Sequence, residues 1–122
     1  MALKTEPQSG FTGTRRWRRF RFDVPVRVLG RNGSDVEFAA RGTGMNEGGI
    51  GLYMEAPFQA GDLVQVEFAP PYSGLTVRVH GTVRNAKDTL YGVEFLSHDA
   101  AEQQEVALFQ RMLRAAAERL GE

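Results

Sequence analysis

Apolar and polar positions alternate along most of this chain, and the period changes only near the C-terminus. Val24, Val26 and Val28 share one face, with Asp23 and Arg27 on the other. That alternation predicts a strand, which Pro25 restricts to an edge or a bulge. Arg31-Asn32-Gly33-Ser34 is a hairpin signal, because Asn-Gly accepts the positive φ of tight turns. A second strand is expected over about 35–41. Residues 42–51 contain five glycines, too many for the interior of a regular element, so a shaped loop is expected there. The loop should run into a third strand at 50–55, ended by Ala56-Pro57. Ala60-Gly61-Asp62 makes a turn, and a fourth strand at 63–69 alternates Val64, Val66 and Phe68 with Gln65 and Glu67. After a Pro- and Gly-bearing loop, a fifth strand at 75–86 alternates Val77, Val79 and Val83 with Arg78, His80, Thr82 and Arg84. Lys87-Asp88 turns into a sixth strand at 89–96, with Tyr91, Val93 and Phe95 on one face.

From Asp99 the apolar positions recur at three- and four-residue steps: Val106, Phe109, Leu113, Ala116 and Leu120, widened by Leu108 and Met112. This predicts an amphipathic helix over 99–120, started by the Asp99-x-x-Glu102 capping signal and ended before Gly121. Its apolar face is expected to pack on the sheet, and a homodimer seam is left open. Six strands separated by turn signals predict a mainly β fold: a six-stranded antiparallel β-barrel with a C-terminal α-helix. Residues 1–14 lack periodicity and read as a flexible leader, leaving 15–122 as the folded domain.

Composition narrows the function. The chain has 122 residues, 42% hydrophobic and 25% charged, which fits one globular domain. It has no cysteine, so disulfides, thiolate metal sites and cysteine nucleophiles are excluded. No apolar run is long enough to span a bilayer, and no signal-peptide core follows the N-terminus, so a cytoplasmic location is expected. The formal net charge is zero, from 15 basic and 15 acidic residues. That zero is uneven. Residues 1–21 carry Lys4 and five arginines against Glu6, a local charge of +5, and the remainder carries −5. The basic segment ends in Arg15-Arg16-Trp17-Arg18-Arg19-Phe20-Arg21. Guanidinium groups present planar donor forks and stack on flat rings, which suits phosphates and purines.

Catalytic chemistry has little to stand on. The two histidines, His80 and His98, fall on a polar strand face and at a helix start, and read as surface residues. No spacing suggests a metal site, and no cofactor is expected. The glycine segment precedes a strand rather than a helix, unlike a phosphate-binding loop.

An arginine run entering the first strand, a glycine-rich segment entering the third, the Tyr91-Gly92-Val93-Glu94-Phe95 strand and a closing helix together resemble the PilZ domain family. The resemblance covers roughly residues 15–120. It implies a six-stranded barrel that binds the bacterial second messenger cyclic di-GMP. The family's Arg-x-x-x-Arg motif falls on Arg15 and Arg19, with Arg16 and Arg18 between them and Arg21 available in a shifted register. Its second motif, Asp/Asn-x-Ser-x-x-Gly, falls on Gly44, Asn46 and Gly49 when the run into the strand is kept. A second register starts at Asn46, with Gly48 in place of the serine and Gly51 last. The first register loses the side-chain acceptor that Asp or Asn would offer a guanine edge, and either loses the serine hydroxyl. Each lost hydrogen bond to a desolvated partner costs about 1–3 kcal/mol, roughly 5- to 150-fold in affinity. Asn46, with a donor and an acceptor, is expected to recover part of that loss.

The expected ligand site is therefore Arg15, Arg16, Arg18 and Arg19 on one side, and Gly44, Asn46, Gly48 and Gly49 on the other. Guanine O6 and N7 suit an arginine fork, and glycines let backbone N–H groups approach phosphate oxygens. The resemblance implies a receptor that couples cyclic di-GMP to a protein effector, in settings such as motility or biofilm formation, by ordering its arginine-rich arm. The rival is a degenerate member that serves as a protein–protein adaptor without nucleotide. A long nucleic acid is disfavoured, because the acidic body repels an extended polyanion.

Overall fold

The computed structural model of the chain describes residues 20–30, 36–70 and 73–120, with backbone alone for Phe20, Arg21, Arg119 and Leu120. Six strands form in chain order: β1 (Phe20–Gly30), β2 (Glu37–Met45), β3 (Gly49–Tyr53), β4 (Leu63–Phe68), β5 (Val77–Lys87) and β6 (Leu90–Phe95). One helix follows, α1 (Ala100–Leu120). The strands close into an antiparallel barrel in the order β1-β2-β3-β6-β5-β4. Closure gives every strand two neighbours and removes the free edges on which other chains could pair. The expected leader at 1–14 and the Asn32-Gly33 turn lie outside the described residues.

Alternation sets which side chains enter the barrel. Val24, Val26 and Val28 of β1 are buried, as are Val64, Val66 and Phe68 of β4 and Tyr91, Val93 and Phe95 of β6. Helix α1 packs mainly on β5, through Val106, Phe109, Leu113, Ala116 and Ala117. Phe109 is fully buried and meets Phe95 edge to face, with ring centroids 6.0 Å apart. The helix start is capped as expected. Asp99 Oδ1 accepts the Glu102 N–H at 2.8 Å, and Glu102 Oε1 reaches back to the His98 N–H at 2.7 Å. His80 is only partly at the surface. Its Nδ1 lies 3.0 Å from Glu105 Oε1, so it is wedged between β5 and the helix.

Pro25 is accommodated as its missing N–H requires. It pairs with Arg41 of β2, whereas β1 pairs with β4 only from Arg27 onward. Proline therefore sits beside a locally unpaired edge.

The glycine-rich segment departs from expectation. Strand β2 continues through Gly42, Thr43, Gly44 and Met45, and β3 starts at Gly49, so Asn46–Gly48 alone form the connection. Glycine's weak strand preference is overridden by close packing that only glycine permits. A Cβ on Gly49 would lie 2.3 Å from the Val93 carbonyl oxygen across the β3–β6 ladder. A Cβ on Gly42 would lie 2.7 Å from the Phe22 ring. The β5–β6 turn is also shifted by one residue. Lys87 pairs with Leu90, and Asp88 takes φ 58°.

Gly49→Ala is expected to lower stability by about 1–3 kcal/mol, because backbone rather than a flexible side chain must move. Gly48→Ala should be nearly silent, since its Cβ would meet only Asn46 Oδ1 at 3.8 Å. Urea unfolding of the two variants checks the contrast.

Candidate functional site

Three bulges converge on one part of the barrel wall. The register shifts between Arg21 and Val24 in β1, between Gly42 and Gly44 in β2, and between Val83 and Asn85 in β5. A bulge inserts an unpaired residue and re-aims its neighbours, here Thr43 in β2 and Arg84 in β5. Between the bulges the ladder brings glycines into line. Gly44 pairs with Gly51, Gly51 with Gly92, and Gly92 with Asn85, a row crossing β2, β3, β6 and β5. Directly paired residues face the same side of a sheet. The row is therefore a stretch of outer wall that three strands cross without side chains. A trench of about 630 Å³ lies over it. Asn85 folds across its far end, where a Cβ on Gly92 would meet Asn85 Oδ1 at 2.8 Å.

Gly44, Asn46, Gly48 and Gly49 all line this trench. The structure brings these four expected site residues together. Arg15, Arg16, Arg18 and Arg19 lie outside the described residues. The described chain starts at Phe20, whose backbone pairs with Met45, and Arg21 pairs with Gly44. The strand that follows the arginine run thus borders the glycine row directly.

The β2–β3 connection is held by its own asparagine. Asn46 Oδ1 accepts the N–H of Gly48 at 2.9 Å and of Gly49 at 3.0 Å. The Asn46 N–H donates to the Gly49 carbonyl at 3.0 Å, and the Phe95 N–H donates to the Gly48 carbonyl at 2.9 Å. Helix α1 adds a clamp. Gln110 Nε2 donates to the carbonyls of Asn46 at 3.2 Å and Glu47 at 3.0 Å. These bonds show what the expected site groups do within the turn. The Asn46 acceptor is occupied by the turn, because a short polar side chain bonds its own backbone two and three residues on. The Gly48 and Gly49 N–H groups are the donors it uses.

A match to the PilZ domain family model covers residues 13–113. The chain belongs to the PilZ domain family. Among solved structures, the PilZ domain of CeSA from a cellulose-synthesizing bacterium superposes with a TM-score of 0.62. The two share 14% identity, and the match covers 74% of this chain and 91% of that one. At that identity the likeness speaks to the fold. A search of curated proteins gives no match.

Sequence reasoning missed part of this PilZ domain's trench. Arg84, Asn85 and Glu94 line it beside the glycines. Arg84 Nε donates to Glu94 Oε1, an ion pair on the outer face. Alternation along β5 and β6 places both residues outward, but only the strand register sets them beside the glycine row. Among the described residues no group of three or more His, Cys, Asp or Glu is placed to hold a metal ion. No described helix is long and apolar enough to cross a membrane.

Asn46→Ala removes the acceptor for two N–H groups and should cost about 1–2 kcal/mol of stability, comparable to losing a helix cap. Asn46→Asp keeps an acceptor and should stay within about 0.5 kcal/mol of the parent. Denaturant midpoints of the two variants measure this.

Proposed function

We propose that this PilZ domain is a cyclic di-GMP receptor whose arginine-rich arm closes over the glycine trench. The observation that carries the reading is the row Gly44, Gly51 and Gly92, bare of side chains and bordered by the strand that the arginine run enters. A wall of glycines, covered by Asn85 only at its far end, leaves room for the face of a purine. Arginines arriving from one side supply what the wall lacks, namely positive charge and planar donor forks for phosphate and for guanine O6 and N7. In this reading Arg15 and Arg19 grip the ligand and Arg16 or Arg18 assists. Gly44, Asn46, Gly48 and Gly49 form the opposing surface. Asn46 acts by fixing the turn through its side-chain oxygen.

Ligand binding would order the arm against the barrel and so change the surface shown to a protein effector. The ordering cost falls at the moment of binding, which makes the arm a switch. The acidic body restricts this chemistry to a small anion, since extended nucleic acid would run over repelling surface.

The degenerate-adaptor reading draws on one observation: the turn's N–H groups and the Asn46 acceptor are already committed. Calorimetric titration with cyclic di-GMP separates the two. A receptor gives saturable heat at micromolar ligand, lost when Arg15 and Arg19 are both replaced by alanine. Absence of heat at tens of micromolar ligand from the parent protein would sink the receptor reading in favour of the adaptor.

A further inference from the structure

The trench contains a charged pair that the receptor reading leaves unused. Arg84 and Glu94 stand on β5 and β6, joined through Arg84 Nε and Glu94 Oε1. Both side chains are well exposed, at 63% and 50%. Neither makes another side-chain hydrogen bond or ion pair among the described residues. An isolated exposed pair of this kind contributes little to stability, so its position is the informative feature.

That position is set by register. Glu94 pairs directly with Gly49 across the β3–β6 ladder, and lies two residues from Gly92 on the same face. It therefore stands at the rim of the trench, two strands across from Asn46 and two residues along the strand from the Gly44–Gly51–Gly92 row. Two strand spacings and that step along the strand put its backbone about 12 Å from that of Gly44, a gap that its side chain and a purine between them can span. Gly44 is the position at which the resemblance expects a side chain that accepts from a guanine edge. No carboxylate or amide stands there. Glu94 brings a carboxylate to the same trench from another strand, and Arg84 engages only one of its oxygens.

We infer that Glu94 is the residue that selects guanine in this domain, with Arg84 as the positioning residue that aims its carboxylate. The inference rests on the receptor reading and extends it to specificity. Guanine presents two adjacent donors, the ring N1–H and the exocyclic N2 amino group. A carboxylate, acceptor only, receives both at once with its two oxygens. Adenine has an unprotonated N1 and no N2 amino group, so it leaves the carboxylate facing an acceptor. Arg84 holds the carboxylate by one oxygen and so orients it, leaving the second oxygen without a side-chain partner among the described residues. A site built to accept from a donor rejects the analogue that lacks it, because the site's own polar group is left unpaired.

The test uses the full chain and two ligands, cyclic di-GMP and cyclic di-AMP, titrated calorimetrically against the parent, Glu94→Gln and Arg84→Ala. The exposure of both side chains keeps the fold out of question, and thermal melts of the variants verify it. Glu94→Gln should weaken cyclic di-GMP about 10- to 100-fold, the worth of charge-assisted hydrogen bonds to one base edge. Its binding of cyclic di-AMP should not weaken, so the preference for guanine collapses. Arg84→Ala should reduce the same preference by a smaller factor. An unchanged preference in Glu94→Gln overturns the inference. So does a rise in affinity for both ligands alike, which would make Glu94 a mask on Arg84. If the parent binds neither dinucleotide, the receptor reading fails and takes this inference with it. Parent binding with an unchanged preference ratio in the variant removes the Glu94 assignment alone.

Discussion

The phase of the β2–β3–β6–β5 ladder is the constraint on which the site depends. Inside the barrel, Ile50, Leu52, Val83, Tyr91 and Val93 are buried, and a slip of one residue in any strand would turn these side chains to water. The hydrophobic effect therefore fixes the register, at roughly 1.5–3 kcal/mol for each large apolar side chain kept inside. Outward-facing residues have no say in it. They inherit their neighbours from the packing within. Gly44, Gly51 and Gly92 fall into one row, and Glu94 falls beside Gly49, because the opposite face of each strand is locked. Bulges at Thr43 and Arg84 adjust that inheritance locally without releasing the core.

A second layer ties the trench to the helix. Gln110 of α1 donates to two carbonyls of the β2–β3 connection, and Phe109 and Leu113 of the same helix are fully buried. The turn's conformation is thus specified from two directions. Asn46 holds it from within, and the helix holds it from outside. Both sets of bonds consume polar groups that a ligand would otherwise meet. The wall is consequently poor in donors of its own, and in the proposed reading recognition comes from groups that reach over it: arginines preceding β1, and the Arg84–Glu94 pair on the far strands.

Much of the fold is legible along the chain, because a strand's alternation and a helix's three- and four-residue steps are local properties. Val64, Val66 and Phe68 announce β4 without knowledge of any partner. Asp99 and Glu102 announce the start of α1 in the same way. The segment 42–51 resists this reading for a physical reason. Glycine's intrinsic preference argues against strand, yet Gly49 lies where a Cβ would strike the Val93 carbonyl, and only the assembled ladder contains that contact. Asn46 illustrates a subtler limit. Its donor and acceptor are visible from its identity, but whether they face a ligand or the protein's own backbone depends on a turn three residues long.

Residue order by itself determined the six strands, the closing helix, the uneven charge behind a neutral total and the arginine and glycine segments that mark the PilZ family. These follow from side-chain chemistry and period, which need no partner strand. Tertiary structure decided which outward residues share a surface. Arg84 and Glu94 are ten residues apart in sequence and unremarkable as outward-facing charges. They meet because β5 and β6 pair across a tight turn, and they border the glycines because the buried valines permit one register and no other.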